Sequence, residues 1–144
     1  MNYGRLALAS LAAFVVDSAY GFAVYGNALA HHFEQFPGVY RPGDDTSHLG
    51  ALFAGIFIGC VAAAYIYAKG YEGGGGAGEG LRFGAAMGVF VAGYSALVSW
   101  AVLRITRALA YRLMAAAIVE WLIVGLVIGL IYKSAPAPRR AATV

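Results

Sequence analysis

At 144 residues the chain is one domain long, and 61% of it is hydrophobic against 12% charged. Soluble domains carry about 25% charged and about 45–50% apolar residues, so the charge here is too sparse for a water-facing shell, and the surroundings must be lipid. The formal charge of +3 comes from Arg and Lys at the ends of apolar runs and in the tail, a pattern of membrane orientation. No basic stripe interleaved with aromatics exists, so the bilayer is the expected partner and nucleic acid is not.

The apolar runs are expected as spans at about residues 6–30, 49–68, 83–103 and 114–132. Each has roughly 20 residues, enough for a helix to cross the roughly 30 Å hydrocarbon layer. None contains proline, since the four prolines stand at positions 37, 42, 136 and 138. Backbone groups in lipid must be bonded within their own segment, which makes helices the natural form. The fold class is therefore all-α, an up-down integral membrane four-helix bundle over residues 1–133. Arg5 ahead of the first run imitates a signal peptide, but that run exceeds a signal's roughly 7–15 apolar residues, and Asp17 interrupts it.

Between the first two spans, His31 to His48 is polar, aromatic and proline-containing, long enough to fold over the bundle mouth. Lys69 to Arg82 is glycine-rich. It lacks the Lys-Ser/Thr that a phosphate loop places after its glycines, so a flexible linker is expected. Arg104 to Arg112 is short and basic, and 134–144 is an Ala/Pro/Arg-rich tail expected to be disordered. With both termini inside, six basic residues lie on the inner side and four on the outer, of 10 in all. That balance places the termini in the cytoplasm of a bacterial inner membrane.

Small residues recur at four-residue steps on every span: Ala9, Ala13 and Gly21; Gly55 and Gly59; Gly84, Gly88, Ala92 and Ala96; Gly125 and Gly129. Residues four apart share a helix face, and small ones let backbones approach where no water drives association. These are expected packing faces within the bundle, or a seam with a second copy or another membrane protein. Cys60, the one cysteine, forms no intrachain disulfide and reads as a small core residue.

Asp17 stands near the middle of the first span and in step with its small residues. A charged carboxyl there costs about 2.5–3.5 kcal/mol on insertion scales, so it is expected to point inward. It is either a proton carrier or a structural acid bonded to Tyr20, Ser95 or Ser99. Glu120 on the fourth span lies at a similar depth, within about 5–7 Å counted by helical rise. The two meet if the first and fourth helices are neighbours, and two close carboxyls share a proton. Glu120 is rotated away from Gly125 and Gly129, so that helix must address two neighbours.

His31, His32, Glu34 and His48 gather all three histidines in one connection, with side chains capable of binding zinc or iron. Adjacent histidines are not the i, i+4 pair of one helix face. A metal site is nonetheless the main motive for a membrane-surface enzyme. Cofactors are otherwise unspecified, since a pocket between helices needs no motif. Trp100, Tyr132, Tyr40, Tyr71 and Tyr111 stand near span ends as an aromatic belt does, and Trp121 lies deeper.

The stretches YIYAKGYEGG (Tyr65 to Gly74), EGLRFG (Glu79 to Gly84) and GLVIGLIYK (Gly125 to Lys133) resemble a family of uncharacterised bacterial four-span membrane proteins. The likeness runs from the first span to Lys133, is most specific at the second connection, and departs at VYGNALA. It implies the four-span architecture and supplies no activity. In layout alone, four short spans with an acid in the first are similar to the small multidrug exporters, which couple proton exchange to cation export. No motif of theirs matches residue by residue. Three readings follow: a self-associating or accessory membrane subunit, a small proton-coupled transporter, and a metal-dependent surface enzyme. The absence of a strong catalytic constellation weighs against the last.

Overall fold

The computed structural model describes residues 1–71, 73 and 76–132. The disordered tail expected at 134–144, and Lys133 before it, lie outside the described residues. The helices are α1 (Tyr3–Ala23), α2 (Ala30–Phe33), α3 (Leu49–Gly70), α4 (Gly76–Val91), α5 (Val98–Val102) and α6 (Arg107–Ile131), with wide π-helical segments Val24–Ala28 between α1 and α2 and Ala92–Leu97 between α4 and α5. Four helical stretches are long and apolar enough to cross a membrane: Tyr3–Ala28, Leu49–Gly70, Gly76–Val102 and Arg107–Ile131. The protein is thus an all-helical, multi-pass membrane protein.

Three of the four spans begin earlier than hydropathy alone suggests, for local reasons. The Asn2 side chain accepts from the Arg5 amide at 3.0 Å and starts α1 at Tyr3. Thr106 caps α6 through the Leu109 amide at 3.3 Å, drawing the basic Arg107–Arg112 stretch into the helix. Such caps satisfy amides that the first turn leaves orphaned. The third span starts at Gly76, so Glu79 sits in its first turn, where the helix dipole favours negative charge. The expected linker from Lys69 to Arg82 shrinks accordingly.

Across the molecule the helices run α3, α1, α6, α4. Ala9, Ser10 and Ala13 of α1 are buried among Cys60, Ala63 and Ala64 of α3 and Val124 and Ile128 of α6. Phe14 adds edge-on contacts to Phe57 at 5.6 Å and Phe53 at 6.3 Å between ring centroids. The tightest joint is between α4 and α6. Buried Gly80, Gly84 and Gly88 lie directly on Gly125, Gly129 and the backbone at Ile118 and Trp121. A methyl carbon on Gly125 would stand 2.5 Å from the Gly84 Cα, and one on Gly129 2.7 Å from the Gly80 Cα. Hydrogen is the only substituent that fits, and the packing role expected of Gly84, Gly88, Gly125 and Gly129 is realised here.

The same role is not realised at three other glycines. A Cβ on Gly55 or Gly59 would meet nothing within 4 Å, and one on Gly21 would meet only Tyr25 of its own helix, at 3.9 Å. The reason is the order of the helices: α3 is at one edge and closes on α1 with its Cys60–Tyr67 face, leaving Gly55 and Gly59 on a flank. Consecutive α3 and α4 come together chiefly where Tyr67 reaches Phe83 at 5.4 Å.

The first connection folds over one end of the bundle, as its length suggests. Phe33, Phe36 and Tyr40 pack against Ile105, Leu109 and Ala110, with Trp100 and Leu113 at the margin. His32 Nε2 meets Arg112 Nη1 across this joint. Partial loss of water, with Arg112 and His31 alongside, holds His32 below the ordinary histidine range. A neutral imidazole accepts from the guanidinium and a protonated one repels it. The contact is therefore complete above the ordinary histidine pKa and is lost as pH falls through the lower value of the folded state. Amide exchange of residues 33–40, corrected for intrinsic rate, should quicken between about pH 7.5 and about pH 5. His32→Gln should flatten that dependence, and an unchanged ratio in the parent protein would refute the coupling.

Candidate functional site: a carboxyl pair between the first and last spans

α1 and α6 are neighbours, and their contact brings Asp17 and Glu120 within hydrogen bonding of each other. Two carboxylates have no proton between them to share, so this bond requires one carboxyl to be protonated. Tyr25, in the wide segment that follows α1, donates its hydroxyl to Glu120 Oε2 at 2.9 Å. Tyr20 donates to the Ala116 carbonyl at 2.9 Å, and the Tyr20 and Tyr25 rings stand edge to face at 6.2 Å. Cys60 of α3, 2% exposed, lies within electrostatic reach of both acids.

The arrangement follows from helix phase. Ser10, Ala13 and Asp17 lie on one face of α1, so the alanines that allow close approach also carry the acid inward. On α6, Glu120 and Val124 face α1, while Gly125 and Gly129 face α4. Each face of α6 has its own neighbour, which resolves the rotation between Glu120 and the glycines.

Both acids and both tyrosines are partly exposed rather than sealed, whereas Ala9, Ala13, Ala64, Val124 and Ile128 on the side toward the N-terminus are all 0% exposed. The pair is thus closed off toward the terminal end of the bundle. With one proton held, the pair carries a net charge of −1 and is edged by the rings of Tyr20 and Tyr25. Such a site attracts a proton or a cation.

The serines play no part in it. Ser95 is exposed on the third span, which packs on α6 rather than on α1, and Ser99 follows it one turn later. Tyr20 bonds a backbone carbonyl, so the structural acid expected to bond Tyr20, Ser95 or Ser99 bonds Glu120 instead. Tyr25 and Cys60 are the members that sequence reasoning missed. Tyr25 is eight positions beyond Asp17, off its face in a regular helix, and no residue pattern announces the wide turn.

The histidine connection does not assemble a metal centre. His31 Nδ1 is 3.9 Å from Glu34 Oε2, both exposed. His32 turns to Arg112, and His48 Nδ1 contacts the Ser47 hydroxyl. That hydroxyl also donates to Asp45. The Ser47 hydroxyl and amide, and then Arg41 at 3.0 Å, hold the Asp45 carboxyl down to about 2. Among the described residues no three His, Cys, Asp or Glu side chains converge as metal ligands. His31 stays near Glu34, but His32 is engaged by Arg112 and His48 by Ser47, so the four side chains do not converge on one point. No protein-family model matches the chain, and neither does a curated protein or a solved structure.

Proposed function

We propose that this protein is a small proton-coupled transporter of a bacterial inner membrane, in which the Asp17–Glu120 pair exchanges a proton for a cationic substrate. The observation that carries the reading is the hydrogen bond between two acids near the middle of adjacent spans. Ionisable groups at that depth are costly, and proteins keep them for proton relays and substrate paths. A cation and a proton compete for the same carboxyl pair, so binding one releases the other by linkage. The termini are proposed to be cytoplasmic, on the balance of Arg and Lys between the two ends.

The transporter is proposed to work as an assembly of copies. That part of the reading is supported by Gly55 and Gly59, which lie four apart on α3 with no described residue within 4 Å of their Cβ positions. In a bilayer such a pair favours another helix.

The test is proton release on ligand addition. Protein in lipid nanodiscs, in weak buffer with a pH dye, is titrated with a panel of organic amines and quaternary ammonium ions. A transported cation should displace about one proton per chain. The same compound should be driven into sealed proteoliposomes by a pH gradient. No proton release by any member of the panel, together with no gradient-driven uptake, would refute the proposal.

A further inference from the structure

A second polar group lies closer to the terminal end of the bundle. Tyr67 of α3 is 3% exposed, and its hydroxyl is buried without a hydrogen-bond partner among the described residues. Native proteins almost always supply such a group with a ligand or an ordered water. Around its ring stand Phe83 at 5.4 Å, Tyr71 at 5.7 Å and Tyr132 at 6.2 Å. Tyr132 accepts in turn from the Asn2 amide at 3.2 Å, which ties the group to the start of α1. Glu79 stands one turn before Phe83 on the same face of α4. Its carboxylate acts electrostatically on the Tyr67 hydroxyl, and one of its oxygens is buried. A polar pair coupled across more than a direct hydrogen bond is the usual setting for a bridging water.

Tyr67 is also in line with the carboxyl pair. It lies seven residues from Cys60 on one face of α3, as Ser10 lies seven from Asp17 on one face of α1. Ser10 is 4% exposed, and its hydroxyl donates to the Leu6 carbonyl at 2.8 Å, leaving oxygen lone pairs free to accept. Between the two polar groups α1 and α3 present the methyls of Ala9, Ala13, Ala63 and Ala64. Alanine methyls make a thin barrier, and a small separation of α1 from α3 would open it to a single file of water.

We propose that Tyr67 and Glu79 hold a water and form the station through which the Asp17–Glu120 pair exchanges protons with the membrane face bearing the N-terminus. This rests on the reading of that pair as an exchangeable proton site. In loading, the Glu79 carboxylate takes a proton from solution and passes it to the bridging water. The Tyr67 oxygen accepts one proton and gives up its own, ending unchanged. The proton reaches the ionised member of the pair through water beside Ser10, and Glu79 is left again as carboxylate. Unloading runs the same steps in reverse.

The experiment is a pH jump on one face of oriented proteoliposomes containing the full chain, with the carboxylic C=O stretch followed by time-resolved infrared. With the jump on the N-terminal face, Glu79→Gln and Tyr67→Phe should each slow the band by about tenfold, the rate equivalent of one hydrogen bond. Its final amplitude should be that of the parent protein. With the jump on the opposite face, the rates should match the parent's, which a general loosening of the bundle would not allow. Tyr67→Phe removes a single oxygen from a packed ring and serves where Glu79→Gln does not fold. Parent-like rates on the N-terminal face with full amplitude would overturn this station and leave the pair's role standing. A parent protein whose carboxyl band never responds to pH would overturn both.

Discussion

Asp17→Asn should abolish proton-driven uptake while leaving the helices and their melting transition close to those of the parent protein. Asparagine is nearly isosteric and keeps a hydrogen-bond donor toward Glu120, so the stability change should stay within about 1.5 kcal/mol. What disappears is the second titrating group. The remaining acid no longer shares a proton, and its exchange is uncoupled from the substrate. Glu120→Gln should behave alike, because the amide oxygen still accepts from the Tyr25 hydroxyl. Asp17→Leu should differ in kind. It leaves Glu120 beside a hydrocarbon side chain without that partner, and a polar group so deprived typically costs about 1–3 kcal/mol. Uptake and melting in the same reconstituted samples separate these outcomes. Parent-like flux in Asp17→Asn would remove the pair from the mechanism.

Gly125→Leu should separate α4 from α6 and strongly destabilise the bundle. Overpacking an ordinary core costs about 1–3 kcal/mol because side chains can still shift. Here the first added carbon already stands 2.5 Å from backbone, at the Gly84 Cα, and backbone yields only if the helix moves. Even Gly125→Ala should lower stability measurably. Gly59→Ala is the control, since nothing lies within 4 Å of its Cβ position. It should change stability by no more than about 0.5 kcal/mol, as surface changes do. Reversible unfolding in mild detergent tests both. Mass determination in lipid adds the second reading: Gly59→Leu should reduce self-association without unfolding the chain. If Gly125→Ala and Gly59→Ala melt alike, the close approach of α4 and α6 is not what holds the bundle.

Length and hydropathy made the four spans legible, because the thickness of a bilayer leaves few alternatives for runs of this kind. Depth was legible too: counting rise from the span ends put Asp17 and Glu120 within about 5–7 Å of each other along the bundle. Which helices were neighbours was not, since small residues mark all four spans and only some of them found partners. Gly84 and Gly125 met, while Gly55 and Gly59, with the same spacing, face outward. Sequence spacing records that a helix has a close-packing face and is silent on what will lie against it. Glu79 was hidden differently. Glycines around it read as linker, yet the helix begins at Gly76 and turns the acid toward Tyr67.

The wide segment Val24–Ala28 changes the phase of everything beyond it. A π-helical turn holds one residue more than an α-helical turn, and one extra residue displaces the following side chains by about 100° around the axis. In an uninterrupted helix Ala28 would continue the Asp17 face. In this protein Leu29 is the buried one, at 9% exposure, and Ala28 is exposed. Phe33, one turn further, is thereby aimed at Ile105 and Leu109, and its neighbour His32 falls to the flank where Arg112 waits. The first span is in effect two helices cut to different registers, the lower one serving the acids and the upper one serving the cap. A splice of one residue after Tyr25 would carry the cap a quarter-turn around the bundle without touching either acid.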